Sequence, residues 1–134
     1  MEKVSKGFLK DSYLITELKL CTIRLIDNSK FPWIILIPKR NKVADIFQLK
    51  KKDQNLLMKE IVLTSKVMKK TFKAFNLNIE KIGNVVSQLH IHIIARSKKD
   101  SSWPLSVWVV KKKNYSKIAL EKTILRIKKA FKVK

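Results

Sequence analysis

The stretch Gln88-Leu89-His90-Ile91-His92-Ile93-Ile94-Ala95-Arg96 decides how the chain is read. It contains both histidines of the 134 residues, two positions apart. Ile91, Ile93 and Ile94, with Val85 and Val86 just upstream, create the β-branched setting of a buried strand. Side chains alternate along a strand, so Gln88, His90 and His92 are expected on one face. Leu89, Ile91 and Ile93 then occupy the other. Two imidazoles and an amide lie in a row on an apolar ribbon.

Upstream of this ribbon, Gly83-Asn84 breaks a weak strand over Leu77 to Ile82, and a turn needing positive φ is the simplest use of Gly83. Before that, residues 51–75 read as one long helix. Leu57, Ile61, Thr64, Val67, Met68, Phe72 and Phe75 fall at three- and four-residue steps and make a core-facing stripe. Lysines and Glu60 occupy the remaining positions, and Asp53 complements the helix dipole. Earlier still, Leu20 to Ile26 and Trp33 to Ile37 read as an antiparallel pair joined by the turn-rich Asp27-Asn28-Ser29-Lys30-Phe31-Pro32. Pro38 ends the second strand, lacking a ladder donor. In residues 8–19, Asp11-Ser12 is expected to cap a short helix over Tyr13 to Glu17. Downstream of Arg96, a polar loop leads to Trp103-Pro104-Leu105-Ser106-Val107-Trp108, whose tryptophans pack the core or stack on a base, packing being favoured. A final amphipathic helix is expected from Ser116 to Phe131, anchored by Ile118, Leu125 and Ile127.

Composition narrows the class. The length suits one domain, residues 1–134, with a real core. No apolar run is long enough to cross a membrane, and Met1 to Gly7 has no secretory apolar segment behind its charges, so a cytoplasmic protein is expected. The single cysteine, Cys21, makes no internal disulfide and reads as a packed thiol. A formal charge of +21 invites nucleic acid as a partner. The excess is mostly lysine, spread along the chain, with Arg24, Arg40, Arg96 and Arg126 as the only arginines. Abundant isoleucine and asparagine beside scarce glycine fit a coding bias toward lysine. Weak electrostatic attraction of polyanions is therefore expected before any dedicated nucleic-acid surface.

The chemistry of the ribbon follows from neutral imidazole, a nucleophile that needs no deprotonation near neutral pH. Attack on phosphorus would form a phosphohistidine-type bond that water later breaks. The second histidine can donate a proton or a hydrogen bond to the same phosphate. Gln88 offers an amide to a bridging oxygen, and backbone N–H groups near Gly83 could cradle the anion. A metal site competes, but the chain has no third histidine and no acidic residue close by in sequence, so no metal or cofactor is expected. A pair of satisfied polar residues in a sheet, or a cysteine-protease arrangement using Cys21, are the remaining alternatives.

At Gln88-Leu89-His90-Ile91-His92-Ile93-Ile94 the chain resembles the histidine triad (HIT) superfamily of nucleotide hydrolases and transferases, whose motif is His-φ-His-φ-His-φ-φ with φ apolar. Gln88 replaces the first histidine. The fuller resemblance is to a bacterial, diadenosine tetraphosphate hydrolase-like branch. Its blocks stand here as Phe31-Pro32-Trp33, Gly83-Asn84-Val85-Val86-Ser87-Gln88-Leu89-His90-x-His92 and Trp103-Pro104-x-x-Val107-Trp108, with Ser87 in place of a proline. The resemblance implies an α+β fold: a mainly antiparallel five-stranded sheet, one long helix, a C-terminal helix, and a homodimer. It implies hydrolysis at the α-phosphate of dinucleoside polyphosphates or nucleotide phosphoramidates through a nucleotidyl-histidine intermediate. On that pattern His90 is the nucleophile, His92 contacts the same phosphate, and Gln88 stands where the first histidine would. Asn78, Gly83 and Asn84 would line the phosphate site, with Val85 where a serine often stands. Asp27, or Asn28 in the neighbouring register, would bind the ribose. Leu25 and Ile26 would line the base pocket.

Overall fold

The β-branched runs pair into one sheet. The computed structural model describes residues 4–133; residues 1–3 of the segment read as leader-free lie outside the described residues. A short helix α1 (Lys6–Asp11) precedes β1 (Ser12–Glu17), β2 (Cys21–Ile26), β3 (Trp33–Pro38), the long helix α2 (Lys51–Phe72), β4 (Asn76–Glu80), β5 (Ile91–Arg96) and the C-terminal helix α3 (Lys117–Val133). The five strands are ordered β1-β2-β3-β5-β4 and every pairing is antiparallel. This is the expected α+β architecture.

Residues of β2, β3 and β5 are almost all buried, because both faces of the sheet centre are covered. On one face Ile23, Leu25, Ile34, Leu36, Ile91 and Ile93 meet the apolar stripe of α2 and Ile127 and Phe131 of α3. The opposite face carries Ile35 and Ile37 under Phe8 of α1, and Trp33 and Ile94 with Phe31 and Val107. Strand alternation puts His92 on this second face, between Ile91 and Ile93 of the first.

Several sequence expectations change in the folded chain. Tyr13 to Glu17 is strand, not helix, because it gains a ladder with β2 in which Tyr13 faces Leu25 and Glu17 faces Thr22. The helix lies one step earlier, capped by Ser5, whose hydroxyl accepts from Gly7 N–H. β5 begins at Ile91, so His90 and Gln88 precede the strand. Helix α2 stops at Phe72 because Lys73 turns into the left-handed region (φ 50°), which leaves Phe75 beyond the helix and 56% exposed. Glu60, read as surface, is buried: its two carboxylate oxygens accept from Leu20 N–H and Cys21 N–H, each at 2.8 Å. On α3, Ile118 and Leu125 are exposed, while Ile127 and Phe131 are the buried anchors. Gly83 does not have a positive φ, and a Cβ there would make only ordinary contacts. Cys21 is fully buried, and burial next to Glu60 pushes its thiol far above the ordinary cysteine range. No described helix is long and apolar enough to cross a membrane.

Past β5 the chain is tied back by Arg96, which is 1% exposed. Its guanidinium makes a bidentate pair with Asp100 (2.8 and 3.0 Å) and also donates to Asn78 Oδ1, Ser102 Oγ and the Leu105 carbonyl. Burial would raise the Asp100 pKa, but the guanidinium and two backbone N–H groups hold it below the ordinary carboxylate value. The Trp103 ring lies 5.5 Å from the same guanidinium, so this tryptophan packs as expected. This knot fixes the loop that carries Trp108.

Candidate active site

His90 and His92 line one cavity of about 660 Å³ on the sheet face away from α2. The cavity is mostly apolar, walled by Phe8, Ile26, Trp33, Val86, Val107 and Trp108 among others, with Asp11, Asn28, Asn84 and Lys112 as its polar groups. The two imidazole rings lie 4.8 Å apart, centroid to centroid. His90 stands at the mouth of β5, where Leu89 N–H donates to the Val43 carbonyl at 2.9 Å and pins the turn. Its Nδ1 is 2.7 Å from the Gln88 carbonyl, and Phe8 meets its ring edge-on at 4.6 Å. His92 Nδ1 accepts from Trp33 Nε1–H at 2.9 Å. Trp108 completes an aromatic cluster, 5.5 Å from His92 and 4.9 Å from Trp33, with its indole N–H donating to Glu80 Oε1 at 2.9 Å.

Both rings are held neutral near pH 7. Burial lowers the His90 pKa below the ordinary 6.5, the Gln88 carbonyl opposes that, and the charge of Lys81 adds to it. His92 is lowered to about 4 by burial and by His90 beside it. A pair of uncharged imidazoles in an apolar pocket is suited to nucleophilic attack and hydrogen bonding. Among the described residues no group of three His, Cys, Asp or Glu is placed to hold a metal ion.

The other predicted site residues divide. Asn28, Asn84 and Ile26 line the cavity. Gln88 does not join the histidines there: its Oε1 accepts from Ser5 N–H at 2.8 Å, and it lines a neighbouring groove of about 800 Å³ with Arg40 and Lys42. Asp27 is buried and turned toward the C-terminal loop, its Oδ1 accepting from Tyr115 N–H at 2.8 Å and its Oδ2 from Tyr13 Oη–H at 3.4 Å. Asn78 is engaged by Arg96, and Leu25 is sealed in the core under the helices. Sequence reasoning missed the part of five contributors. Phe8, Asp11 and Lys112 arrive from remote segments and carried no local signal. Trp33 was quoted in its motif, but the alternation of an apolar strand did not reveal its bond to a histidine. Trp108, for which packing was favoured, is 51% exposed on the cavity wall.

The HIT domain family model matches residues 9–99, a span that contains both histidines and the strands that hold them. The chain belongs to the HIT domain family. Its fold is similar to that of a histidine triad protein from Bradyrhizobium japonicum, with a TM-score of 0.93 and 31% identity, covering 97% of this chain and 98% of that one. A HIT protein from Sinorhizobium meliloti superposes with a TM-score of 0.92 at 33% identity, covering 96% of each chain. A histidine triad protein from Marinobacter aquaeolei gives 0.94 at 26% identity, covering 99% of this chain and 98% of the other. No curated protein matches the sequence. The HIT fold thus holds its histidine pair here without a third histidine: position 88 is glutamine, and its side chain secures α1.

Proposed function

We propose that this HIT protein hydrolyses nucleotides at the α-phosphate, acting on dinucleoside polyphosphates or nucleotide phosphoramidates through a nucleotidyl-histidine intermediate at His90. One observation carries the reading: the 2.7 Å contact between His90 Nδ1 and the Gln88 carbonyl. A carbonyl only accepts, so Nδ1 carries the proton and Nε2 keeps the lone pair. In the first step Nε2 bonds to the α-phosphorus, the bond to the leaving group breaks, and that group departs with the electron pair. The phosphorylated ring is cationic, and the Gln88 carbonyl supports it. Water then attacks phosphorus, the P–N bond breaks, and His90 regains its lone pair. The nucleoside monophosphate leaves and the water's extra proton passes to solvent. His92 contacts the phosphate oxygens, Asn84 and Asn28 are the candidate phosphate and ribose partners, and the apolar wall takes the base.

Mass spectrometry tests this reading. Protein mixed with a dinucleoside tetraphosphate should show a nucleotidyl adduct on His90 and release nucleoside monophosphate. No adduct and no turnover with any dinucleotide or phosphoramidate would remove it. A second reading, a nucleotide- or nucleic-acid-binding module with little catalysis, is favoured by the +21 charge. RNA binding that survives physiological salt would support it, because nonspecific binding weakens steeply there. We also propose a homodimer. β4 is an open sheet edge with Ile79 49% exposed, and sedimentation gives the state directly.

A further inference from the structure

We infer that Trp33 is a positioning residue that locks His92 as a neutral Nε2–H donor, and that the site therefore prefers phosphoanhydrides over phosphoramidates as substrates. The inference rests on the nucleotide-hydrolase reading and narrows its substrate class. An indole N–H can only donate. With Trp33 Nε1–H pointed at His92 Nδ1 at 2.9 Å, that nitrogen must hold a lone pair, and the ring proton sits on Nε2. His90 has the opposite arrangement, its Nδ1 proton spent on the Gln88 carbonyl. The strand thus presents one lone pair and one N–H from two identical side chains.

Making His92 a cation would place a second proton on Nδ1, against the indole N–H. The hydrogen bond would be lost and two donors would face each other inside an apolar cluster that also holds Trp108. His92 is therefore a hydrogen-bond donor to phosphate oxygens and not a general acid. That distinction matters for the leaving group. A nucleotide phosphate expelled from an anhydride departs as a stable anion and needs no proton. An amine expelled from a phosphoramidate must be protonated as the P–N bond breaks, with the proton supplied by an acid in the site. The other charged groups nearby do not fill that role. Glu80, the cross-strand partner of His92, is an acceptor bound by Trp108. Lys81 is not among the residues that line the cavity, and Lys112, which is, has its ammonium turned to Asp11 at 3.2 Å.

The test uses the whole protein labelled with 15N. It has only two histidines, so long-range imidazole spectra show two rings. At pH 7 the expected result is His92 protonated at Nε2 and His90 at Nδ1. In Trp33→Phe, the His92 tautomer should redistribute and the ring should titrate at higher pH. Wild-type kcat/KM should be at least about tenfold higher for a dinucleoside tetraphosphate than for a nucleoside phosphoramidate of an alkylamine, and Trp33→Phe should narrow that ratio. A wild-type His92 protonated at Nδ1 would overturn the inference even if Trp33→Phe fails to fold. So would a tautomer and titration unchanged in a folded Trp33→Phe. Phosphoramidates turned over as fast as anhydrides would overturn the substrate preference. Correct tautomers with no turnover of either class would instead sink the hydrolase reading and leave the Trp33 role standing.

Discussion

His90 contributes one nitrogen that nothing else in the cavity replaces. His90→Ala is expected to lower kcat by at least about a thousandfold, as loss of a nucleophile does, while the circular dichroism spectrum stays unchanged; retained turnover would reject its role. The neutral state of both rings sets the pH response. Because the His90 pKa lies below 6.5, the acid limb of kcat/KM should fall at lower pH than it would for an ordinary imidazole titrating at 6.5. Stability follows the same sign. The unfolded histidines bind protons near 6.5, whereas folded His92 does so only near 4, so the unfolded chain holds more protons in that window. The contribution is fully present above pH 6.5 and is lost as pH falls toward 4. Urea midpoints at pH 7 and 4.5 should show this decline above the range where Asp53 and Asp100 titrate, since both lie below the ordinary 3.8. A His92→Phe variant should flatten it.

Two elements depend on single contacts. Glu60 reaches from α2 to two buried N–H groups at the start of β2, so helix and sheet are joined by a carboxylate rather than by apolar area alone. Glu60→Ala leaves both donors without partners and is expected to cost about 2–4 kcal/mol, read as a lower urea midpoint. Helix α1 forms the wall beside His90, and its close approach depends on Gly7. A Cβ there would stand 2.7 Å from Val86 Cγ2, so one side must yield. Gly7→Ala is expected to raise KM about fivefold, roughly 1 kcal/mol, by displacing Phe8 from the His90 ring. Adding Val86→Ala makes room, and the double variant should recover most of the loss. Equal KM values in all three proteins would show that α1 does not shape the pocket.

Charge acts on the molecule as a whole. At +21, with ten acids already counted against 31 lysines and arginines, the protein attracts polyanionic substrates through its net field. Such steering is screened over about 10 Å at 0.1 M salt. kcat/KM for a dinucleoside tetraphosphate should therefore drop about three- to tenfold between 50 and 500 mM salt with kcat unchanged. A salt-independent kcat/KM would show that the lysines serve no role in capture.

Local patterns determined the sheet centre, the long helix and the histidine pair, because each depends on periodicity or on residue types carried within one segment. β-Branched runs make strands wherever they find partners, and the stripe from Leu57 to Met68 buries itself on any apolar sheet. Tyr13 to Glu17 failed as a helix because its partner strand lies beyond the window in which a cap is read. The tertiary structure alone decided which groups complete the cavity. Phe8, Asp11 and Lys112 come from segments about a hundred residues apart, and Asp27 was diverted from the cavity by a backbone N–H of the C-terminal loop. Gln88 was likewise turned from the cavity to α1. Side-chain direction and hydrogen-bond partner are set by what packs opposite, and nothing in a residue's own neighbourhood encodes that.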